Sequence, residues 1–419
     1  MKYFGTDGIR GLYGVDIDEK LAYEVGLALC AYFGQGEYVV ARDTRPSGES
    51  LITALGKGLY DGGARVLMVG IMPTPAVSYF VKSRNAVCGV VISASHNPAE
   101  YNGIKVFTKG GVKICQNEER GIEALIGKTE KSGFGRYECL AFPEKEYVNH
   151  LVLGLDADLT GLKVCVDCGY GATYAVAKQA FTKLGATVIS YCDKPYGERI
   201  NAGVGALYPS FIAEKCADNQ SLLGFAFDGD GDRVSVVYGG EEVDGDSVLY
   251  NLALALKIDD GVVGTTLSNS GLDKALKSVG VSLIRADVGD KYVSELMRKE
   301  GYRLGGEQSG HFVISPHSQT GDGILTALIL STHLYGNGAL SKPMRITALP
   351  QITRSFALPG DTVREELNSV IKQAEARLGR EGRLIVRPSG TEPKLRVTVE
   401  SQDGQVAIEI IEAFSKVLQ

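Results

Sequence analysis

One pattern recurs three times along the chain and confines it to a narrow class of folds. A short apolar run at 38–41 ends in a polar turn at 42–48, a helical pattern covers 51–60, Gly62 and Gly63 stop it, and a second apolar run covers 65–69. The same order returns as a run at 163–166, a turn at 167–171, a helix through Leu184, Gly185, and a run at 187–191. It returns again as a run at 262–266, a turn at 268–271, a helix through Val279, Gly280, and a run at 282–284. Strand, glycine-bearing turn, amphipathic helix, glycine stop and strand make up the right-handed crossover unit of a parallel sheet. A single unit is commonplace. Three of them, roughly a hundred residues apart, predict three related α/β domains in series. The length agrees, since 419 residues are too many for one core.

The last part breaks the pattern. After Pro343 and Pro350, strands are expected at 353–358, 384–387 and 395–400, with helices at 363–378 and 406–418. That describes a smaller α+β domain, an antiparallel sheet with helices on one face. The predicted division is 1–152, 153–241, 242–345 and 346–419. The fold class expected is therefore α/β, with mixed, mostly parallel sheets in three tandem domains and a smaller α+β domain at the carboxyl end. The connection at 341–350 is short, and few contacts are expected to cross it, so the last domain should rotate as a hinged body.

A net charge of −6 gives no hint of nucleic-acid binding and requires any anionic substrate to be met by a local basic site. The start, Met1 to Gly5, has no signal-peptide pattern, and no apolar run reaches membrane-spanning length. Eight cysteines are scattered, several within apolar runs (Cys30, Cys88, Cys165), as buried thiols are in a reducing cytoplasm. Cys165 and Cys168 lack the second pair or nearby histidine that a zinc site needs.

Five stretches carry the candidate chemistry. The apolar run 87–92 stops in Ser93-Ala94-Ser95-His96-Asn97-Pro98, which puts Ser95 and His96 on a loop at a strand's carboxyl end, where open α/β sheets do their chemistry. A second apolar strand then carries Lys105 back to the same region. A plain turn between two core strands fits those residues equally well. The stretch Asp228-Gly229-Asp230-Gly231-Asp232-Arg233 ends another apolar run. Its three carboxylates can converge on one hard divalent cation; as a solvated acidic turn they would repel one another strongly. It is not a calcium loop of the EF-hand kind, because Arg233 stands where that loop needs glycine.

In 305–311, Glu307, Gln308 and Ser309 can grip neighbouring hydroxyl or amine groups of a sugar, and His311 can move protons near neutral pH. An ordinary glycine-framed loop is the competing reading. In 387–396, Arg387, Ser389, Gly390, Thr391 and Arg396 form a candidate anion nest suited to a phosphate monoester. Near the amino terminus, Arg10 and Arg42 either complement a phosphoryl group or form structural ion pairs.

Taken together and in this order, GTDGIRG at 5–11, SASHNP at 93–98, DGDGDR at 228–233, GEQSGH at 306–311 and RPSGTEP at 387–393 resemble the α-D-phosphohexomutases. The likeness is nearest to bacterial members acting on glucosamine phosphates, and it extends over essentially the whole chain. The resemblance implies the four domains enclose a central cleft. It implies that Ser95 is the phosphoserine and that Ser95, Asp228, Asp230 and Asp232 hold one Mg²⁺ per subunit. Lys105 and His311 occupy positions where relatives place proton-transfer groups, with Arg10 and His96 beside the serine. Arg233, Glu307, Gln308 and Ser309 would meet the sugar, and Arg387, Ser389, Gly390, Thr391 and Arg396 its non-reacting phosphate.

The implied activity is an isomerase, an intramolecular phosphotransferase. It would interconvert glucosamine 6-phosphate and glucosamine 1-phosphate through glucosamine 1,6-bisphosphate, in the cytoplasm, feeding UDP-N-acetylglucosamine and cell-wall synthesis. The alternative within the family is a phosphomannomutase/phosphoglucomutase. Outside it stand a sugar-phosphate phosphatase and a catalytically silent sugar-phosphate binder. The partners implied are a small phosphosugar and a source of the first phosphate on Ser95, a priming kinase or autophosphorylation; a homodimer is compatible with the pattern, and neither nucleic acid nor membrane is expected. The chain departs from the family in being somewhat shorter and in the less polar stretch 205–210.

Overall fold

The computed structural model describes residues 2–5, 7–336, 338–358, 364–379, 382–388 and 394–418. All three expected crossover units are present. Glu37–Arg42 pairs in parallel with Arg65–Ile71 across the helix Gly48–Asp61, Lys163–Asp167 with Thr187–Tyr191, and Gly261–Thr265 with Ser282–Ala286 across the helix Ser270–Ser278. The second unit differs in detail, because its helix is split into a 3-10 turn at Ala172–Ala175 and a short α-helix at Ala177–Lys183. The cause is local: the Ala172 N–H donates to the Gly229 carbonyl at 2.8 Å, so the helix begins under a constraint from the neighbouring loop.

Each unit is extended in the same way. On the other side of its central strand lies a further parallel strand, which then reverses into an antiparallel partner. These are Cys88–Ile92 with Tyr101–Thr108, Leu223–Phe227 with Val234–Tyr238, and Leu304–Gly306 with Phe312–Ile314. The sheets are therefore mixed, with parallel pairs at the centre and antiparallel pairs beyond. Cys88–Ile92, Leu223–Phe227 and Gly261–Thr265 are buried along their whole length, as strands covered on both faces must be.

The packing is more continuous than three domains in series suggests. One buried cluster runs from Leu67, Val77 and Phe80 through Tyr147 and Leu151 to Phe181 and Phe225, and on to Leu249, Leu272 and Leu328. With each such side chain worth about 1.5–3 kcal/mol of burial, this shared layer holds the first three units as one body. Smaller separate cores lie in the first unit around Val25, Leu55 and Ile92, in the second around Ile212, Cys216 and Val237, and in the third around Val263, Val293 and Met297.

The fourth unit has a separate core around Leu367, Val397, Val399, Ile410 and Phe414. Its sheet, Gln351–Ala357 next to Lys394–Glu400 next to Arg383–Pro388, is antiparallel, and the helices Arg364–Leu378 and Gly404–Val417 pack on it and on each other. The connection at 341–350 carries more contacts than the few expected of a short hinge. Asn251 brackets Met344 with bonds of 2.7 and 3.0 Å, the Ile346 N–H donates to Ser247 Oγ, and Asn269 brackets Leu349. Past Leu349, Gln351 still reaches the third unit through its side chain, which donates to the Leu267 carbonyl and accepts from Asn269. Among the described residues no helix is long and apolar enough to cross a membrane. All eight cysteines are free thiols.

Candidate active site

The three reversals between parallel and antiparallel strands carry three of the sequence motifs. Residues 93–100, 228–233 and 307–311 each connect the strand beside a central strand to its antiparallel partner, so the three units present equivalent loops at the carboxyl ends of their parallel strands. The shared core brings those loops together.

Ser95 is buried and holds a left-handed backbone, with φ of 51°. A conformation that L-residues avoid costs about 1–3 kcal/mol and persists only when its surroundings impose it. Here the imposition comes from Arg45, fully buried, whose guanidinium donates to the carbonyls of Ser95 (2.9 Å), Asn97 (2.7 Å), Tyr101 (2.9 Å) and Pro98. Its Nε donates to Asp43 Oδ2 at 2.9 Å, and Asp43 in turn accepts from Ser93 Oγ at 2.6 Å. Asn201 donates to the Ser95 and Asn97 carbonyls from the second unit. The Ser95 side chain is thereby aimed across the cleft, where its hydroxyl donates to Asp228 Oδ2 at 2.6 Å.

Asp228, Asp230 and Asp232 are all buried, with ligand atoms within 4.8 Å of one another. Gly229 makes the approach to the serine loop feasible, because a Cβ there would lie 2.6 Å from the Ser95 carbonyl. Burial, and then Asp232 and Asp230, push the Asp228 carboxyl well above the usual carboxylate range. Burial also acts on Asp232, but Lys105, His311 and Lys113 outweigh it and hold that carboxyl far below the range.

Lys105, arriving on Tyr101–Thr108 as expected, places Nζ 2.8 Å from both Asp230 and Asp232. Burial lowers its proton affinity, yet those two carboxylates and Asp7 keep it firmly protonated. Asp230 Oδ1 and Asp232 Oδ1 are buried without a hydrogen-bond partner. Three crowded carboxylates with two orphaned oxygens fit a hard divalent cation of the Mg²⁺ type.

His96 lies 3.4 Å from Ser95 Oγ through Nδ1, and burial, with Arg233 and Arg10 nearby, pushes its pKa down to about 3, so it is a neutral imidazole. Arg10 donates to Asn97 Oδ1 and to Asp7. Arg42, by contrast, turns away and pairs with Glu49 at 2.7 Å, which makes it a structural ion pair. Arg233 backs onto the cation loop, its N–H donating to Asp228 Oδ1.

In the third unit, Glu307 accepts from the Gly289 N–H, and burial and Asp290 raise its pKa. Gln308 and Ser309 are exposed, and the Gln308 amide nitrogen is committed to Asp246 Oδ2 at 2.6 Å. His311 is buried, with neither ring nitrogen hydrogen-bonded, and Gly321 sits so close that a Cβ there would lie 2.4 Å from Nε2. A backbone bridge pairs His311 with Arg233, so the second and third motif loops are directly connected.

On the fourth unit, Arg387 and Arg396 face each other across adjacent strands. Like charges in that register repel unless an anion lies between or near them. Burial and Arg396 lower the pKa of Arg387, while Glu307 acts the other way, which puts this strand within electrostatic reach of the sugar loop. Ser389, Gly390 and Thr391 lie outside the described residues. Sequence reasoning missed Arg45 and Asn201, which hold the serine loop, and Asp7, Lys113 and Asp290, which extend the ion network around Lys105. Two of these lay within stretches already noted, Asp7 in the GTDGIRG motif at 5–11 and Arg45 in the polar turn at 42–48.

Comparison with known proteins gives a consistent picture. Residues 1–133 match the family described as phosphoglucomutase/phosphomannomutase, alpha/beta/alpha domain I, residues 244–347 its alpha/beta/alpha domain III, and residues 340–417 its C-terminal domain. The chain is 43% identical to the phosphoglucosamine mutase of Thermotoga sp. (strain RQ2), over 100% of both chains. It is 40% identical to that of Finegoldia magna, over 96% of this chain and 95% of the other.

Among solved structures, a phosphoglucomutase/phosphomannomutase family protein from Burkholderia thailandensis superposes with a TM-score of 0.83 at 25% identity, covering 99% of this chain and 96% of that one. The N-acetylphosphoglucosamine mutase of Aspergillus fumigatus, solved with GlcNAc-6P and magnesium, shares the fold with a TM-score of 0.68 at 17% identity, over 100% and 96% of the two chains.

Proposed function

Because the chain belongs to the α-D-phosphohexomutase family, an isomerase family, we propose that it interconverts glucosamine 6-phosphate and glucosamine 1-phosphate through a phosphorylated Ser95 in the cytoplasm. The observation that carries the reading is the Ser95 hydroxyl, held by a strained and fully buttressed loop 2.6 Å from Asp228 of the buried acid triplet. Its full-length relatives at about 40% identity favour the glucosamine phosphate over other hexose phosphates. The proposed division of labour is by unit: 1–152 carries the serine, 153–241 the cation loop, 242–345 the sugar loop and 346–419 the phosphate grip.

Catalysis then follows from the residues. The P–Oγ bond of phospho-Ser95 breaks as the free hydroxyl of the sugar phosphate forms a new P–O bond, giving glucosamine 1,6-bisphosphate. After the bisphosphate turns end over end, its other phosphoryl returns to Ser95 Oγ and leaves the isomeric monophosphate. Ser95, Asp228, Asp230 and Asp232 would hold Mg²⁺, which supplies neutralisation of the phosphoryl charge in transit. Lys105 and Arg10 add fixed positive charge beside the serine. The loop's burial excludes water, so that the sugar rather than solvent takes the phosphoryl.

Glu307 and Ser309 bind sugar hydroxyls. With the Gln308 nitrogen engaged by Asp246, its carbonyl oxygen is left to accept from a 2-ammonium group. Arg233 closes over the reacting phosphate, His311 moves a proton, and Arg387, Arg396 and the segment 389–391 hold the other phosphate. The first phosphate reaches Ser95 from a kinase or by autophosphorylation.

The test is an isomerisation assay with glucosamine, glucose and mannose 6-phosphates, together with phosphopeptide mapping. Glucosamine 6-phosphate should give the highest kcat/KM, the phosphate should map to Ser95, and Ser95→Ala should be folded and inactive. A higher kcat/KM for mannose or glucose 6-phosphate would mark a phosphomannomutase/phosphoglucomutase. Stoichiometric release of inorganic phosphate would mark a phosphatase.

A further inference from the structure

The ammonium of Lys113 lies between two carboxylates from different parts of the chain. It donates to Asp7 Oδ1 at 2.7 Å and, at still closer range, to Asp290 Oδ2. The second oxygen of Asp7 meets Lys105 at 3.1 Å and Arg10 at 3.2 Å, and Lys105 continues to Asp230 and Asp232. At the other end, Asp290 Oδ2 lies 3.5 Å from His311 Nε2. Charges thus alternate from the cation loop through Lys105, Asp7 and Lys113 to Asp290, which ends the series beside the His311 ring, across the first three units. Lys113 is the central link, largely buried and supplied by the two-residue strand Val112–Lys113.

We propose that Lys113 is a positioning residue for phosphoryl transfer, holding Asp7 and Asp290, and through them Lys105 and His311, in register across the cleft. The proposal rests on the phosphotransfer reading above. Without Lys113, Asp290 would lose its ammonium partner and Asp7 would keep only Lys105 and Arg10, so the balance of charge that sets Lys105 and the His311 ring against the reacting phosphoryl would shift. A displacement of about 1 Å at such a distance from the chemistry can cost roughly 100-fold in rate.

A purely structural role is separable from this one. The same parts of the first and third units are joined by a second bridge, Lys291 to the buried Glu119 at 3.3 Å, between the helices Gln116–Glu123 and Asp290–Glu300. That bridge touches neither Lys105 nor His311. It is therefore the internal control.

The experiment compares Lys113→Met, Lys113→Arg and Lys291→Met by steady-state kinetics and by ¹⁵N NMR of the histidine rings. Lys113→Met should lower kcat roughly 100-fold with KM for glucosamine 6-phosphate changed less than about twofold. Lys113→Arg should restore most of the loss. Lys291→Met should lower the melting temperature and leave kcat near wild type. If Lys113→Met does not fold, Lys113→Met with Asp290→Asn removes the stranded carboxylate and should show the same loss of kcat.

The His311 ring signals should shift in Lys113→Met and stay fixed in Lys291→Met, whatever sugar the enzyme prefers. This arm reports on positioning even if no mutase activity is found, so the two readings fail separately. Equal kcat losses in Lys113→Met and Lys291→Met, full kcat in a folded Lys113 variant, or unmoved His311 signals would each overturn the proposal.

Discussion

Replacing Arg45 with methionine tests whether this one side chain holds the serine loop. The side chain is fully buried and donates to the Asp43 carboxylate and to four loop carbonyls. Methionine keeps the apolar stem and removes every donor. The Ser95 and Asn97 carbonyls would keep Asn201, and the Pro98 carbonyl would keep the Tyr101 N–H at 3.2 Å. The Tyr101 carbonyl loses its partner, and Asp43 loses its countercharge. Breaking a buried pair by removing one member costs about 3–5 kcal/mol.

Asp43 limits that cost. Burial already outweighs Arg45 and raises its pKa, so without Arg45 it would take up a proton rather than stay charged. The expected destabilisation is therefore about 3 kcal/mol, at the low end of that range. Guanidinium unfolding should show it as a lower midpoint at unchanged slope, and Asp43→Asn in the Arg45→Met background should add less than about 1 kcal/mol. Activity should fall by roughly 100-fold, because the released loop lets Ser95 leave its left-handed backbone. A midpoint equivalent to less than about 1 kcal/mol, with full activity, would show that Arg45 does not hold this loop.

Three more outcomes follow from the site and its surroundings. Burial raises the Asp322 pKa to about 6, above its unfolded value, so the native state binds the extra proton and stability should fall as pH rises from about 4 to about 6. The difference from an ordinary aspartate corresponds to about 3 kcal/mol, and Asp322→Asn should flatten that slope in unfolding measured across this window. Gln308→Met should reduce kcat/KM for glucosamine 6-phosphate about tenfold and for glucose 6-phosphate much less; equal losses would remove Gln308 as the contact to the amine. Chelation followed by dialysis should stop turnover and Mg²⁺ should restore it; full activity in excess chelator would dismiss the cation site.

The crossover units were legible because a strand, a helix and a glycine stop each leave a local signature of fixed period. The motif loops were legible because they interrupt apolar runs with residues that have no place in a core. What escaped depends on partners far away in sequence. Asp7 and Lys113 are 106 residues apart and Lys113 and Asp290 are 177, so no window on the chain reveals their pairing.

Arg42 and Arg45 illustrate a second limit. Both lie in one polar turn, where no periodicity fixes which way a side chain points, and it is Arg45 that turns inward while Arg42 pairs with Glu49 at the surface. The merged core was hidden for a related reason. A buried strand face reads the same whether its cover comes from its own domain or from the next. The pinned connection at 341–350 was hidden because Asn251, Ser247 and Asn269 contact it from 80 or more residues upstream.

That continuous core bears on how a bisphosphate could turn over without escaping. The serine, the cation loop and the sugar loop all sit on units sharing one apolar layer, so their mutual geometry is fixed. The fourth unit has its own core, and polar groups join it to the third. Glu400 accepts from the Ser270 N–H and hydroxyl, and Arg383 donates to Glu400 and to the carbonyls of Thr266 and Ser268. A polar contact of this kind can be exchanged for water at modest cost, whereas an apolar one cannot. The fourth unit should therefore be the part that moves, pivoting past Leu349, with the pull of a phosphate dianion on Arg387 and Arg396 favouring closure. Solution scattering should show a smaller radius of gyration with a non-reacting bisphosphate. Hydrogen exchange should change at Ser270 and Gln351 while the pinned amides of Met344 and Ile346 stay protected. An unchanged radius with unchanged exchange at Ser270 would mean that the substrate turns within a rigid cleft.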